Sequence, residues 1–254
     1  MTRRARQVSG VTAALLVGIT LASSIAPQQA LARPSAPAIP TPTPSATGPL
    51  RIDEDFTGYP AARLMGVGAV FGPWRVVFDG MNHGPSIRLR PGLLRLAPQA
   101  AKVDSATNAA LVVSRRAFTG PTLSLKATWT TRATTRIGVA NPWETGWLVW
   151  DYVDNDHFTY LVLKPNGWEV GRRDPSQRGG QRFVADGDLP TTPIGMTRTA
   201  TVTRTEGTTR IQIDDQHLVT FTLPPNERRG AIGMYSEDAI VDWTSITAGT
   251  GPAN

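Results

Sequence analysis

Gly146 to Arg172 reads Gly-Trp-Leu-Val-Trp-Asp-Tyr-Val-Asp-Asn-Asp-His-Phe-Thr-Tyr-Leu-Val-Leu-Lys-Pro-Asn-Gly-Trp-Glu-Val-Gly-Arg. Three runs rich in aromatic and β-branched residues, Gly146–Val153, Phe158–Leu163 and Trp168–Arg172, are divided by Asp154-Asn155-Asp156 and by Pro165-Asn166-Gly167. Such runs fit a pleated, half-buried surface. The first divider tolerates left-handed backbone and bonds locally to it. In the second, proline presets φ and Asn-Gly favours positive φ, a strong hairpin signal. The stretch is therefore expected to form three adjacent antiparallel strands.

The same pattern extends outward. Thr122–Trp129, Thr199–Thr203, Arg210–Asp214 and His217–Leu223 alternate apolar with polar, with turns at Glu206-Gly207 and Asp214-Asp215-Gln216 and a stop at Pro224-Pro225. Further strands are expected at Trp74–Phe78, Ser86–Leu89, Gly92–Ala97, Ala110–Arg115, Gly180–Ala185, Ala231–Tyr235 and Ile240–Thr247. After residue 50 there is no sustained apolar stripe at helical spacing and no tandem repeat, so the pattern predicts one all-β sandwich or barrel over residues 50–250.

The region before it differs in kind. Arg3, Arg4 and Arg6 precede an apolar run from Val11 to Ile25, and Ala30-Leu31-Ala32 follows. A basic start, a short apolar core and a small-x-small triplet read as a signal peptide over residues 1–32. The run is shorter than the roughly 20 residues of a membrane span, so no integral span is expected after cleavage. Residues 33–49 are dominated by Pro, Ala, Thr and Ser and read as a tether. Secretion or a cell-envelope location, outside the cytoplasm, is the expected address.

The net charge is +6, and cleavage after Ala32 removes three arginines and no acid, leaving +3. That is weak support for an acidic partner such as an anionic wall polymer, and too small and scattered to argue for nucleic acid. The chain has no cysteine, which excludes disulfides, thiolate metal sites and a cysteine nucleophile. Its three histidines have no ligand spacing for zinc, and no nucleophile elbow, phosphate loop or dinucleotide fingerprint occurs.

The order of features is familiar. Asp55-Phe56 precedes Gly72-Pro-Trp-Arg-Val76, the meander occupies the middle, and Gly230-Ala-Ile-Gly-Met-Tyr235 leads to Val241-Asp-Trp-Thr244. Across most of residues 52 to 248 this resembles the concanavalin A-like lectin and glucanase jelly rolls, including laminin G-like modules and secreted domains near the 3-keto-disaccharide hydrolases. Asn141-Pro-Trp-Glu144 through Lys164-Pro-Asn-Gly-Trp-Glu169 is similar to a group of exported bacterial domains of this fold. The resemblance implies a two-sheet antiparallel jelly-roll sandwich with first and last strands side by side, setting Asp55-Phe56 beside Val241–Thr244. It also implies that no cofactor is required and that a structural calcium ion, where one is held, sits near Asp55 and Asp242. The acidic turns Asp154-Asn155-Asp156, Asp214-Asp215 and Glu237-Asp238 offer hard oxygens, but none has EF-hand spacing and such turns need no metal.

Strict alternation puts Trp147, Val149, Asp151 and Val153 on one face of the first meander strand, and Leu148, Trp150 and Tyr152 on the other. A sugar needs a flat apolar platform with fixed donors and acceptors, which Trp supplies best. Trp147, Tyr160, Lys164, Trp168, His157 and Arg182 are the ligand-binding candidates. Glycoside hydrolysis needs two carboxylates, for which Glu144, Asp151 and Glu169 are candidates, although the Glu-x-Asp-x-x-Glu signature of glucanases on this fold is absent. Elimination on a uronate would draw on His157, Tyr160, Gln181 and Arg182. The expected function is binding or cleavage of a polysaccharide or oligosaccharide by a monomer. The alternatives are a non-catalytic structural or protein-interaction module and a polysaccharide lyase.

Overall fold

The computed structural model describes residues 50–59, 63–80, 86–101, 103 and 106–251. The signal peptide and tether expected over residues 1–49 lie outside them. In chain order the strands are β1 (Arg51–Glu54), β2 (Arg63–Met65), β3 (Val70–Phe71), β4 (Trp74–Asp79), β5 (Ile87–Arg90), β6 (Leu93–Leu96), β7 (Ala109–Ser114), β8 (Leu123–Thr134) and β9 (Gly146–Asp154). They continue with β10 (His157–Lys164), β11 (Gly167–Arg173), β12 (Gln181–Gly187), β13 (Thr197–Thr205), β14 (Thr208–Ile213), β15 (Gln216–Thr222), β16 (Ala231–Glu237) and β17 (Ala239–Gly249). Helical structure among the described residues is confined to short 3₁₀ turns at Arg178–Gly180 and Pro225–Glu227, and no helix there is long and apolar enough to cross a membrane.

The strands form two antiparallel sheets. Sheet A runs β15-β14-β13-β8-β17-β6-β5-β2, with β1 also beside β17, and sheet B runs β12-β11-β10-β9-β16-β7-β4-β3. This is a jelly-roll sandwich, and β9, β10 and β11 are the consecutive neighbours that their turns predict. The sheets face each other across one core. Five of the seven tryptophans lie in it, Trp74, Trp129, Trp150, Trp168 and Trp243, with Trp129 stacked on Trp243 at 4.9 Å between centroids. Each such ring buries about 150–250 Å², worth about 4–6 kcal/mol before ordering entropy, which suits a domain without disulfides.

Alternation along β9 fails at one residue. Asp151 adopts a positive φ of 52°, and the pairing of β9 with β16 slips between Tyr152↔Ala231 and Val149↔Gly233. This is a β-bulge, in which one extra residue re-aims the side chains beyond it. Gly230 lies against it: a Cβ there would meet the Asp151 carbonyl carbon at 2.4 Å, at a φ of 149°. Asp151 therefore turns into the sandwich, and Tyr152 joins the face of Trp147 and Val149. The two-face assignment of strict alternation is corrected on this point.

A second apolar cluster lies on the far face of sheet B, including Leu111, Val113, Trp147, Val149, Tyr160 and Tyr235. The outer face of sheet A is different: Arg51, Ser124, Lys126 and Arg210 on it are exposed. The far face of sheet B is thus sheltered, although among the described residues no third layer of strands or helices covers it.

Candidate functional site

The sheltered face is built from two rows across four strands. One row reads Glu169, Val162, Trp147 and Tyr235 from β11 to β16, and the next reads Gly171, Tyr160, Val149 and Gly233. Gly171 leaves room for a ring. Tyr160 lies across Gly171, where a Cβ would stand 2.2 Å from its hydroxyl. Trp147 packs between two tyrosines, 4.6 Å from Tyr160 and 5.2 Å from Tyr235 between centroids. Phe158 and Tyr152 extend the aromatic strip. The Trp147 indole N–H donates to the Trp143 carbonyl at 2.8 Å, which fixes the ring.

Polar tips stand on this floor. The Tyr160 hydroxyl donates to Glu169 Oε1 at 2.8 Å, and Lys164 Nζ donates to Glu169 Oε2 at 3.3 Å. The Tyr235 hydroxyl donates to Glu237 Oε1 at 2.7 Å. Burial, with the adjacent carboxylates, pushes both tyrosines well above their ordinary range, so both stay protonated and act as fixed hydrogen-bond donors. Burial pushes Glu237 up to about 7; the Tyr235 hydrogen bond lowers it, while Asp238 and Glu144 add to the rise. Lys164 and Glu169 keep 17% and 16% side-chain exposure, so the cluster is reached from solvent. The Trp147 and Tyr160 rings, 4% and 0% exposed, support it from beneath. A ligand here would meet hydroxyl, ammonium and carboxylate groups on a rigid aromatic base.

Trp147, Tyr160, Lys164 and Glu169, singled out from the sequence, are brought together. The other candidates are held elsewhere. Glu144 is fully buried, paired with Arg136 and accepting from Asn141 Nδ2 at 2.6 Å. Arg136 also reaches Asp238 at 2.8 Å. Asp151 receives Arg204 Nη1 on both oxygens at 2.8 Å, tying sheet B to sheet A. Trp168 belongs to the inter-sheet core and donates to the Leu189 carbonyl at 2.7 Å. His157 Nδ1 lies 2.8 Å from Asp154 Oδ1 at the β9–β10 turn, and Arg182 is paired with Glu227. Of the residues weighed for elimination, His157, Tyr160 and Arg182 thus have separate side-chain partners.

The terminal strands are neighbours, as expected, and β1 ends with Glu54 opposite Ile246. β1 pairs with Ile246–Gly249, whereas Asp242 lies opposite Arg95 on β6. Asp242 takes Arg95 at 2.6 and 2.8 Å and Arg132 at 2.8 Å. Burial raises its carboxyl, and these guanidinium bonds outweigh the rise and hold it below the ordinary range. Asp55 caps its own turn through the Thr57 hydroxyl and N–H. The two carboxylates expected to share a cation are therefore separately engaged, and among the described residues no group of three or more His, Cys, Asp or Glu gathers to hold a metal ion.

Tyr235 and Glu237 are the site residues that sequence reasoning missed. Tyr235-Ser236-Glu237 alternates, which puts both on one face. Only the pairing of β16 with β9 brings that face beside Trp147.

No family model and no curated protein matches the sequence. Solved structures do. The VIP36 exoplasmic/lumenal domain in its Ca²⁺/Man3GlcNAc-bound form is similar at a TM-score of 0.51 and 13% identity, covering 80% of this chain and 91% of that one. The metal-free carbohydrate recognition domain of Emp46p is similar at 0.50 and 10%, covering 69% and 87%. At these identities the likeness shows the fold alone, a two-sheet jelly-roll sandwich.

Proposed function

We propose that this domain binds a glycan on the sheltered face of sheet B. The observation that carries the reading is the clamp of Tyr160 and Lys164 on Glu169 above Trp147. It sets charged donors and acceptors in fixed positions on an aromatic base, which is what a polyhydroxylated ligand needs. The likeness to carbohydrate recognition domains supports it, with fold analogy as a weak warrant for function. Export by residues 1–32 and a tether over 33–49 would present the domain to extracellular or envelope polysaccharide.

The test is binding of the purified chain to β-glucan, xylan, mannan and arabinogalactan by calorimetry. Hydrogen bonds to charged groups are worth about 1.5–3 kcal/mol, so Lys164→Ala should weaken binding about tenfold or more. Lys126→Ala, on the exposed outer face of sheet A, should leave it unchanged. Equal effects of the two substitutions would sink the reading.

A protein-interaction role is the second reading. Edge strand β12 carries Phe183 at 63% exposure, and Leu189 just beyond it is 77% exposed. Apolar side chains on an open edge are a common docking feature. Phe183→Ser would leave glycan binding intact and abolish such an interaction.

A further inference from the structure

Buried polar atoms without a partner gather at one end of the sandwich. Among the described residues nine such side-chain atoms occur, and four of them, Arg204 Nε and Nη2, Thr209 Oγ1 and Arg228 Nε, belong to three residues around the β13–β14 hairpin. Arg204 and Thr209 stand directly opposite each other in that hairpin, and each is 1% exposed. The Arg228 guanidinium packs on Gly207 at its turn. The three nitrogens can only donate a hydrogen bond, and the hydroxyl can donate one as well. A buried donor left unmet is costly, so a group of them in one place points to something that completes it.

The orphaned edge of Arg204 has a defined shape. Its Nη1 donates to both Asp151 oxygens at 2.8 Å, which leaves Nε and Nη2 as a planar fork. Arg95 uses the same edge on Asp242, Nε to Oδ1 at 2.6 Å and Nη2 to Oδ2 at 2.8 Å. The fork thus takes two oxygens of one anion, and among the described residues Arg204 has no second carboxylate to fill it. The surrounding charge is positive. Arg172 and Arg228 also bear on Asp151, and Glu227 is paired with Arg182 and lies 3.5 Å from Arg172. Asp174 joins from the loop after β11. Four guanidiniums therefore meet three carboxylates in this network.

We propose that this end of the sandwich holds a tetrahedral oxyanion, phosphate or sulfate, as the free ion or as an ester headgroup, clamped by the Arg204 Nε–Nη2 fork. The fork takes two oxygens, and the Thr209 hydroxyl and Arg228 Nε take the others. A carboxylate has only two oxygens, both used by the fork, whereas a tetrahedral anion has enough for all four donors. The donors are shut off from bulk water, so the anion enters as Arg228 swings outward, its side chain half-buried and its Nε held by no acceptor. The Asp151–Arg204 pair ties sheet B to sheet A, which puts this site between the sheets and makes it independent of glycan binding on the sheltered face.

Calorimetry of the full chain with sodium phosphate, sulfate, acetate and methyl phosphate, against chloride at matched ionic strength, tests this, with thermal unfolding as a second readout. Phosphate and sulfate should bind about tenfold or more tightly than acetate and raise the unfolding midpoint, as a ligand of the folded state does. Arg204→Lys keeps a charge for Asp151 but loses the fork, and should weaken phosphate about tenfold or more. Thr209→Val and Arg228→Gln should each weaken it several-fold, and they carry the test where Arg204→Lys does not fold. Arg210→Gln, on the exposed face of sheet A, should change nothing. Methyl phosphate binding as well as phosphate supports an ester headgroup as the occupant, and its exclusion supports the free ion. No heat and no midpoint shift from phosphate or sulfate at millimolar concentration overturns the proposal. Acetate binding as tightly as phosphate, or equal losses in Arg210→Gln and the site variants, also overturns it.

Discussion

Asp151→Asn separates charge from backbone at the bulge of β9. Asparagine tolerates left-handed φ about as well as aspartate, so the 52° at this position adds no new strain. What changes is the partner of Arg204. Both side chains are 1% exposed, and Arg204 Nε and Nη2 are buried without an acceptor, so among the described residues Asp151 alone accepts from the guanidinium. Breaking a buried pair from one side costs about 3–5 kcal/mol. The amide oxygen retains one bond, which favours the lower end, about 3 kcal/mol. For about 200 residues that lowers the thermal midpoint by about 6–12 °C. Burial raises the Asp151 carboxyl above its ordinary range despite Arg204, so desolvation outweighs the pairing. The paired double variant Asp151→Asn with Arg204→Met should therefore recover most of the loss, to within about 1.5 kcal/mol of wild type. A carboxyl raised by folding makes stability fall as pH climbs from its unfolded toward its folded value, and both variants should lack that slope. Urea unfolding with a double-mutant cycle measures all of this. A single-variant cost under about 1 kcal/mol, or a double variant no better than the single, would refute the reasoning.

Gly171→Ala would push a methyl into Tyr160, whose hydroxyl stands 2.2 Å from the Cβ position. Overpacking of this kind costs about 1–3 kcal/mol, and calorimetry should show glycan binding weakened along with the midpoint, because Tyr160 carries the Glu169 clamp. Tyr160→Phe keeps the ring and removes only the donor; a cost near 1 kcal/mol in stability and a several-fold weaker glycan affinity are expected. Glu237 has a folded value of about 7 against an ordinary 4.5. Its contribution is full below 4.5 and is lost as pH rises through 7, so unfolding midpoints should decline across that window in wild type and less in Glu237→Gln. Because both Asp242 oxygens are taken by arginine, millimolar calcium should leave the midpoint of Asp242→Asn and of wild type equally unmoved.

Much of the site was legible from local pattern. The turn chemistry of Asp154-Asn155-Asp156 and Pro165-Asn166-Gly167 aligned three strands and alternation paired Tyr160 with Lys164 on one face of β10, while the register of β10 with β11 is what sets Glu169 on that same face. Two things escaped. A left-handed residue inside a strand has no period-2 signature, so Asp151 was expected beside Trp147 and instead faces Arg204 across the core. Non-local pairing is also silent in sequence. β16 follows β11 by more than fifty positions, with four strands between them, yet it supplies Tyr235 and Glu237. The same limit applies to Asp242, whose partner Arg95 lies 147 positions away and which read as a cation ligand until β6 was set beside β17. The short strands β2 and β3 carry too few residues for a period to register.

Hydrogen–deuterium exchange with and without a bound glycan would test the central claim most directly, because it locates the ligand without substitution. The account predicts added protection confined to residues 143–173 and 231–238, the segments that carry Trp147, Tyr160, Lys164, Glu169, Tyr235 and Glu237. Protection over β13, β14 and β8, on the exposed face of sheet A, would contradict it.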